Sequence, residues 1–157
     1  HNSDRRQRQM CIRDSLFESL KLSLSEKPYL GICLGLQVLF SLSEESIDSE
    51  GMNIFSGKVE RFTENENFKI PHMGWNQVVF KKKHFVNKNI PNSSNFYFVH
   101  SYASKELKKD NILAETTHGE LFNSAVIQDN VIGVQFHPEK SGAQGLKFLE
   151  NFINWKI

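Results

Sequence analysis

Residues 29–37 read Tyr29-Leu30-Gly31-Ile32-Cys33-Leu34-Gly35-Leu36-Gln37. Tyr29 to Cys33 is a short apolar run after Lys27-Pro28, which predicts a buried strand. Leu34 to Leu42 carries Leu36, Leu39 and Phe40 at spacings that predict a helix. Strand, tight glycine turn, helix is the rhythm of an α/β fold. Gly31 and Gly35 flank Cys33 at equal distance, removing side chains that would block close packing and the approach of a substrate. A nucleophile fits such a turn, because the N-terminal N–H groups of the next helix favour the thiolate, the reactive form. A small buried residue packed in a turn satisfies the same local pattern.

Upstream, Leu16, Phe17, Leu20 and Leu24 recur at helical spacing and predict a helix over 16–25, ending before Pro28. Residues 1–15 start with His rather than Met and show no apolar periodicity, and they read as a foreign or disordered leader ahead of a domain covering 16–157. A basic arm that binds nucleic acid is the alternative. Of 19 basic and 18 acidic residues, four arginines and two aspartates fall in that stretch, so the remainder is net −1 and offers no nucleic-acid surface. A 39% hydrophobic and 24% charged composition is that of a globular domain. No run approaches the roughly 20 apolar residues that span a bilayer. Outside 1–15, Cys33 is the single cysteine, which predicts no disulfide framework and a reducing, cytoplasmic setting.

Downstream the pattern changes to strands over 57–62, 76–80, 95–100, 112–116, 123–128 and 131–136, the last two joined by a turn at Asp129-Asn130. The run Lys81-Lys82-Lys83-His84 reads as a solvated loop or edge guard. A closing helix is predicted over 142–155, with Leu146, Leu149, Phe152 and Ile153 on one face.

The segment Gly133-Val134-Gln135-Phe136-His137-Pro138-Glu139 bears on Cys33. Residues i and i+2 of an extended chain share a side, and Pro138 keeps His137 out of helical geometry. Glu139 is therefore placed to accept from one imidazole nitrogen of His137, leaving the other to take a proton from a thiol.

GICLGLQ around Cys33 and GVQFHPEKS around His137 and Glu139 closely resemble the class I, triad-type glutamine amidotransferases. Within them, the segments 69–76 (KIPHMGWN) and 97–102 (YFVHSY) resemble the glutaminase subunit of imidazole glycerol phosphate synthase, over about 16–157. The resemblance implies a flavodoxin-like α/β fold with a mixed central sheet, flanking helices and an added antiparallel section. It implies that the family's first strand–helix–strand portion, with its glycine-rich oxyanion segment, is replaced by residues 1–15. Cys33 is then the attacking thiol, His137 the acid–base and Glu139 its orienting partner. Leu34 and Gly35 fall at the oxyanion turn. Gln37, Glu45, Ser101 and Tyr102 fall at glutamine-binding positions. Met73, Trp75, Asn76, Tyr97 and Lys140 fall on segments that face the cyclase subunit of a heterodimer. No metal or cofactor is implied. Two other readings stay open: a docking module that keeps the cyclase-binding surface without turnover, and the glutaminase of another class I enzyme such as anthranilate synthase.

Overall fold

A computed structural model describes residues 2–48 and 50–157. Helix α1 (Asn2–Glu26) leads into strand β1 (Tyr29–Ile32), a one-turn helix α2 (Leu34–Gln37) and strand β2 (Phe40–Ser43). Strands β3 (Phe55–Arg61), β4 (His72–Phe80), β5 (Ser94–His100), β6 (Tyr102–Ser104), β7 (Ile112–His118), β8 (Glu120–Gln128) and β9 (Val131–Val134) follow, and α3 (Gly142–Asn154) closes the chain. Six strands form one sheet in the order β1-β9-β8-β7-β4-β5, and β2-β3-β6 form a second. β1 runs parallel to β9, with Gly31 opposite Gly133, whereas the other neighbours of the large sheet are antiparallel. The expected mixed α/β sheet with an antiparallel section is what forms.

Three expectations need correction. The helix predicted over 16–25 reaches back to Asn2, because no Gly or Pro precedes Pro28 and the Arg- and Gln-rich stretch has good helix propensity. Residues 3–16 are exposed, and packing starts at Phe17, Leu20 and Leu24. The helix predicted over 34–42 lasts one turn, after which Phe40–Ser43 pairs in parallel with β3. Leu36, Leu39 and Phe40 are fully buried, their apolar spacing suits a helix as well as a strand, and the backbone partners on β3 decide. In α3 the inward residues are Gly145, Phe148 and Asn151, while Leu146 and Ile153 face solvent. The Asn151 amide donates to the Val86 and Lys88 carbonyls at 3.0 and 2.8 Å, so a polar residue holds the helix down.

The other predicted strands form within a few residues of their expected bounds, β6 (Tyr102–Ser104) is one the sequence reading did not anticipate, and Asp129-Asn130 makes the β8–β9 turn with Asp129 at φ 51°. The lysine run forms the loop after β4, where Lys81 pairs with Glu115 at 3.2 Å. The aromatic core holds Phe62, Phe96, Phe98, Phe122, Phe136 and Phe148. A second cluster of Leu24, Leu36, Leu39, Phe40, Met52 and Phe55 lies under α2 and the second sheet. The turn after Cys33 and the turn after β9 are thus both mounted on buried apolar layers.

Candidate active site

Cys33 stands between β1 and α2 at φ 52° and ψ −104°, a conformation a non-glycine residue holds only when its surroundings impose it. Its N–H donates to the Val134 carbonyl at 2.8 Å, which fastens the turn to β9. Gly31 makes the turn possible: a Cβ there would sit 2.2 Å from the Gly35 carbonyl oxygen. Gly35 has open space at the same test, with only the Tyr29 hydroxyl at 3.9 Å. Of the two flanking glycines, therefore, Gly31 is the one that packing demands.

Burial pushes the Cys33 thiol above its ordinary value. The Leu34 N–H opposes this, the Glu45 carboxylate adds to it, the Gln135 amide opposes it and the Glu139 carboxylate adds to it. The N–H at the start of α2 favours the thiolate as expected, but α2 is a single turn with little dipole and burial outweighs it. The thiol donates to the Val99 carbonyl at 3.9 Å.

His137 follows the end of β9 in extended conformation, and its N–H donates to the Tyr97 carbonyl at 2.9 Å. Tyr97 and Val99 are two apart on β5, so their carbonyls point to one side of that strand, away from β4. Cys33 and His137 are thus anchored to neighbouring sites on one strand edge, from opposite ends of the sequence. His137 Nδ1 lies 2.6 Å from Glu139 Oε1. Its buried Nε2 has no hydrogen-bond partner among the described residues. Ser141 locks the loop, donating from Oγ to the His137 carbonyl at 2.6 Å and accepting there from the Tyr97 N–H at 2.9 Å.

On the α2 side of Cys33, a cavity of about 410 Å³ is lined by Arg13, Phe17, Leu34, Gln37, Ser43 and Glu45, among others, but not by Cys33 or His137 themselves. Leu34 is exposed toward it, and Glu45 comes from the loop after β2. A larger cleft of about 860 Å³ around Lys81–Asn92 contains none of the predicted site residues. Ser101 and Tyr102 lie at the β5–β6 corner. The Ser101 carbonyl accepts from the Phe62 N–H, and the Tyr102 carbonyl from His100 Nδ1 at 2.9 Å and Gln37 Nε2 at 3.3 Å.

The predicted partner residues divide. Met73 and Trp75 are exposed on one face of β4, and Trp75 meets Tyr97 across the strand pair with ring centroids 6.0 Å apart. Lys140 is exposed one residue beyond Glu139. Asn76 points to the opposite face of β4, where its amide contacts His72 Nε2 at 3.1 Å and the Thr117 carbonyl at 2.9 Å.

Sequence reasoning missed a buried polar chain behind the site. His72 Nδ1 and His100 Nε2 are 2.9 Å apart, and His72 stacks on His118 and Phe98. Burial and the neighbouring imidazoles lower His72 to about 3, and burial lowers His100 to about 4. Both are therefore neutral in the folded state where the unfolded chain, titrating near 6.5, already takes up protons. The resulting stability is fully present above that value and drains away as the pH falls toward 4. Acidifying from about pH 7 to about pH 5 is expected to cost roughly 2 kcal/mol, with screening allowed for, measured by urea unfolding at each pH. Gln135 was also missed, although period two counted back from His137 points to it.

The glutamine amidotransferase class-I family pattern matches residues 6–155. The chain is 43% identical over 143 residues to imidazole glycerol phosphate synthase subunit HisH of Hydrogenovibrio crunogenus, covering 90% of this chain and 67% of that one. It is 48% identical over 143 residues to HisH of Pyrococcus furiosus, covering 90% and 70%. It is 48% identical over 132 residues to HisH of Methanosarcina barkeri, covering 83% and 64%. The chain therefore spans about two thirds of the length of these relatives. A crystal structure of a glutamine amidotransferase superposes with a TM-score of 0.60 at 19% identity, covering 92% of this chain and 70% of that one. Another, from Thermotoga maritima, gives 0.59 at 17%, covering 94% and 56%. The superpositions speak for the fold and the sequence matches for the family: this chain belongs to the class-I glutamine amidotransferases, in the HisH family of imidazole glycerol phosphate synthase subunits.

Proposed function

We propose that the chain hydrolyses glutamine to glutamate and ammonia, with Cys33, His137 and Glu139 as its triad. The reading rests above all on His137: one nitrogen held by Glu139, the other free, and its loop fastened to the same β5 edge that receives the Cys33 thiol. His137 Nε2 takes the thiol proton as Sγ attacks the side-chain amide carbon. The same proton leaves on the amine as ammonia, and a glutamyl thioester remains. Water, deprotonated by His137, then releases glutamate and restores the thiol. Leu34 supplies an oxyanion N–H at the turn next to Gly35. Gln37, Glu45 and the Ser101-Tyr102 corner surround the amino-acid part of glutamine.

The apolar pair Met73 and Trp75, with Tyr97 and Lys140 alongside, forms the docking face for a cyclase subunit. The ammonia passes to that subunit, which makes imidazole glycerol phosphate and aminoimidazole carboxamide ribotide in histidine biosynthesis, a lyase reaction. Asn76 acts from behind this face through His72. A reduced Cys33 suits a cytoplasmic enzyme. No helix among the described residues is long and apolar enough to cross a membrane.

The deciding experiment mixes the chain with a cyclase subunit and its nucleotide ligand and follows glutamate release. Release well above a Cys33→Ala control is expected, together with labelling of Cys33, and not of Cys11, by a glutamine-analogue electrophile. Release at the level of the control leaves a docking module without turnover.

A further inference from the structure

Gln135 is fully buried, one residue past β9, and its backbone N–H is tied to the Ser124 carbonyl at 2.9 Å. Its side chain has two neighbours. Nε2 lies 3.6 Å from Cys33 Sγ, and Oε1 lies 3.4 Å from Gln37 Nε2. The orientation of both amides follows from a group that cannot rotate. The Tyr102 carbonyl only accepts, so the end of Gln37 that meets it at 3.3 Å is the NH₂ end. That NH₂ has a second hydrogen, which reaches Gln135, so the Gln135 atom facing it is the carbonyl oxygen. The Gln135 NH₂ is then turned toward the sulfur. His100 Nδ1 donates to the same Tyr102 carbonyl at 2.9 Å, which makes His100 Nε2 the acceptor for His72 Nδ1. His72 Nε2 is left to accept from Asn76. One backbone carbonyl thus sets the polarity of a chain running from Asn76 to Cys33.

Besides the Leu34 N–H, which favours the thiolate, two bonds at the sulfur favour opposite protonation states. The Val99 carbonyl can only accept, so it favours the neutral thiol. The Gln135 amide donates, so it favours the thiolate. We infer that Gln135 is a positioning residue for Cys33, its N–H aimed at the sulfur by way of Gln37 and the Tyr102 carbonyl. The inference rests on Cys33 being the nucleophile, and it adds a means by which a buried thiol is made available. The side chain of Gln135 bonds Cys33 Sγ and Gln37, so it acts through the nucleophile.

The test uses the 157-residue chain carrying Cys11→Ser, and follows the ultraviolet absorbance of the Cys33 thiolate against pH. Glu45 and Glu139 are the carboxylates that act on this sulfur, and His137 shares its strand edge, so all three stay unchanged. Gln135→Met keeps the bulk and removes the donor. Its midpoint is expected about one unit higher, with about tenfold less thiolate at any pH below it. Gln135→Glu, which turns an oxygen toward the sulfur, is expected to move the midpoint further the same way. A folded Gln135→Met with an unshifted midpoint overturns the inference. Should Gln135→Met fail to fold by circular dichroism, Gln37→Leu gives the same reading, since it frees the Gln135 amide to turn. An upward shift there supports the inference and an unshifted midpoint overturns it. Glutamate release separates the two levels. Turnover that persists in Cys33→Ser sinks the nucleophile assignment, whereas normal turnover with an unshifted Gln135→Met midpoint sinks only the role of Gln135.

Discussion

Replacing His137 with asparagine lowers glutamate release in the cyclase-supplemented assay by a factor on the order of 10³, with the fold intact. The fold survives because His137 is tied into the sheet and loop through its backbone N–H and carbonyl. The His137 N–H bonds the Tyr97 carbonyl, and the His137 carbonyl accepts from Ser141 Oγ and the Lys140 N–H. None of them uses the imidazole. What disappears is the nitrogen that, in the proposed mechanism, carries the proton twice, from the thiol to ammonia and from water to the thiol. Glu139→Gln keeps an oxygen able to accept from Nδ1 but loses the charge that steadies the imidazolium, so a smaller loss of about tenfold is expected. Melting by circular dichroism should be unchanged in His137→Asn. A His137→Asn chain that turns over within a few fold of the parent would remove His137 from the mechanism.

Gly31→Ala is expected to destabilise the chain by about 3 kcal/mol or more and to abolish selective labelling of Cys33. The added Cβ would sit 2.2 Å from the Gly35 carbonyl oxygen and 2.5 Å from its carbon, both backbone atoms. A flexible side chain could swing away, whereas here the whole turn of α2 must move. That turn sets the positive φ of Cys33 and carries the Leu34 N–H, so the strain falls on the site itself. Gly35→Ala is the control. Its Cβ has open space, and alanine is the better helix former, so its stability should stay within about 0.5 kcal/mol of the parent. Urea unfolding of the two variants checks the contrast, and equal destabilisation would mean that the close approach is relieved some other way.

These two results bear on different kinds of legibility. The relation of His137 to Glu139 is local, but not through strand alternation as expected: His137 is extended, Pro138–Lys140 closes into a single 3-10 turn, and that turn brings Glu139 Oε1 to 2.6 Å from His137 Nδ1. The strand–turn start at Cys33 is local for the same reason, and so are the strands, whose alternation depends only on neighbouring side chains. The family motifs around Cys33, His137 and 69–76 are likewise contiguous in the chain. These features are determined by the sequence itself, because the forces involved act between residues a few positions apart.

The rest depends on long-range contacts. Whether Phe40–Ser43 continues the helix or pairs with β3 turns on backbone partners some fifteen residues away, and the apolar spacing serves both outcomes. Which face of α3 is buried turns on where Gly145, Phe148 and Asn151 meet the core. Gly31 and Gly35 look equivalent in the chain, and only the fold of the turn makes one indispensable. The protonation of Cys33 is a tertiary property as well: burial raises it, Leu34 and Gln135 lower it, and Glu45 and Glu139 raise it. The chain from Asn76 through His72, His100, the Tyr102 carbonyl, Gln37 and Gln135 joins five separate segments, so no local pattern could show it. The sequence by itself singled out Cys33, His137 and Glu139 as the proposed triad. Only the tertiary structure decided how that sulfur is held, because hydrogen-bond direction and desolvation are set by groups that meet only once the chain has folded.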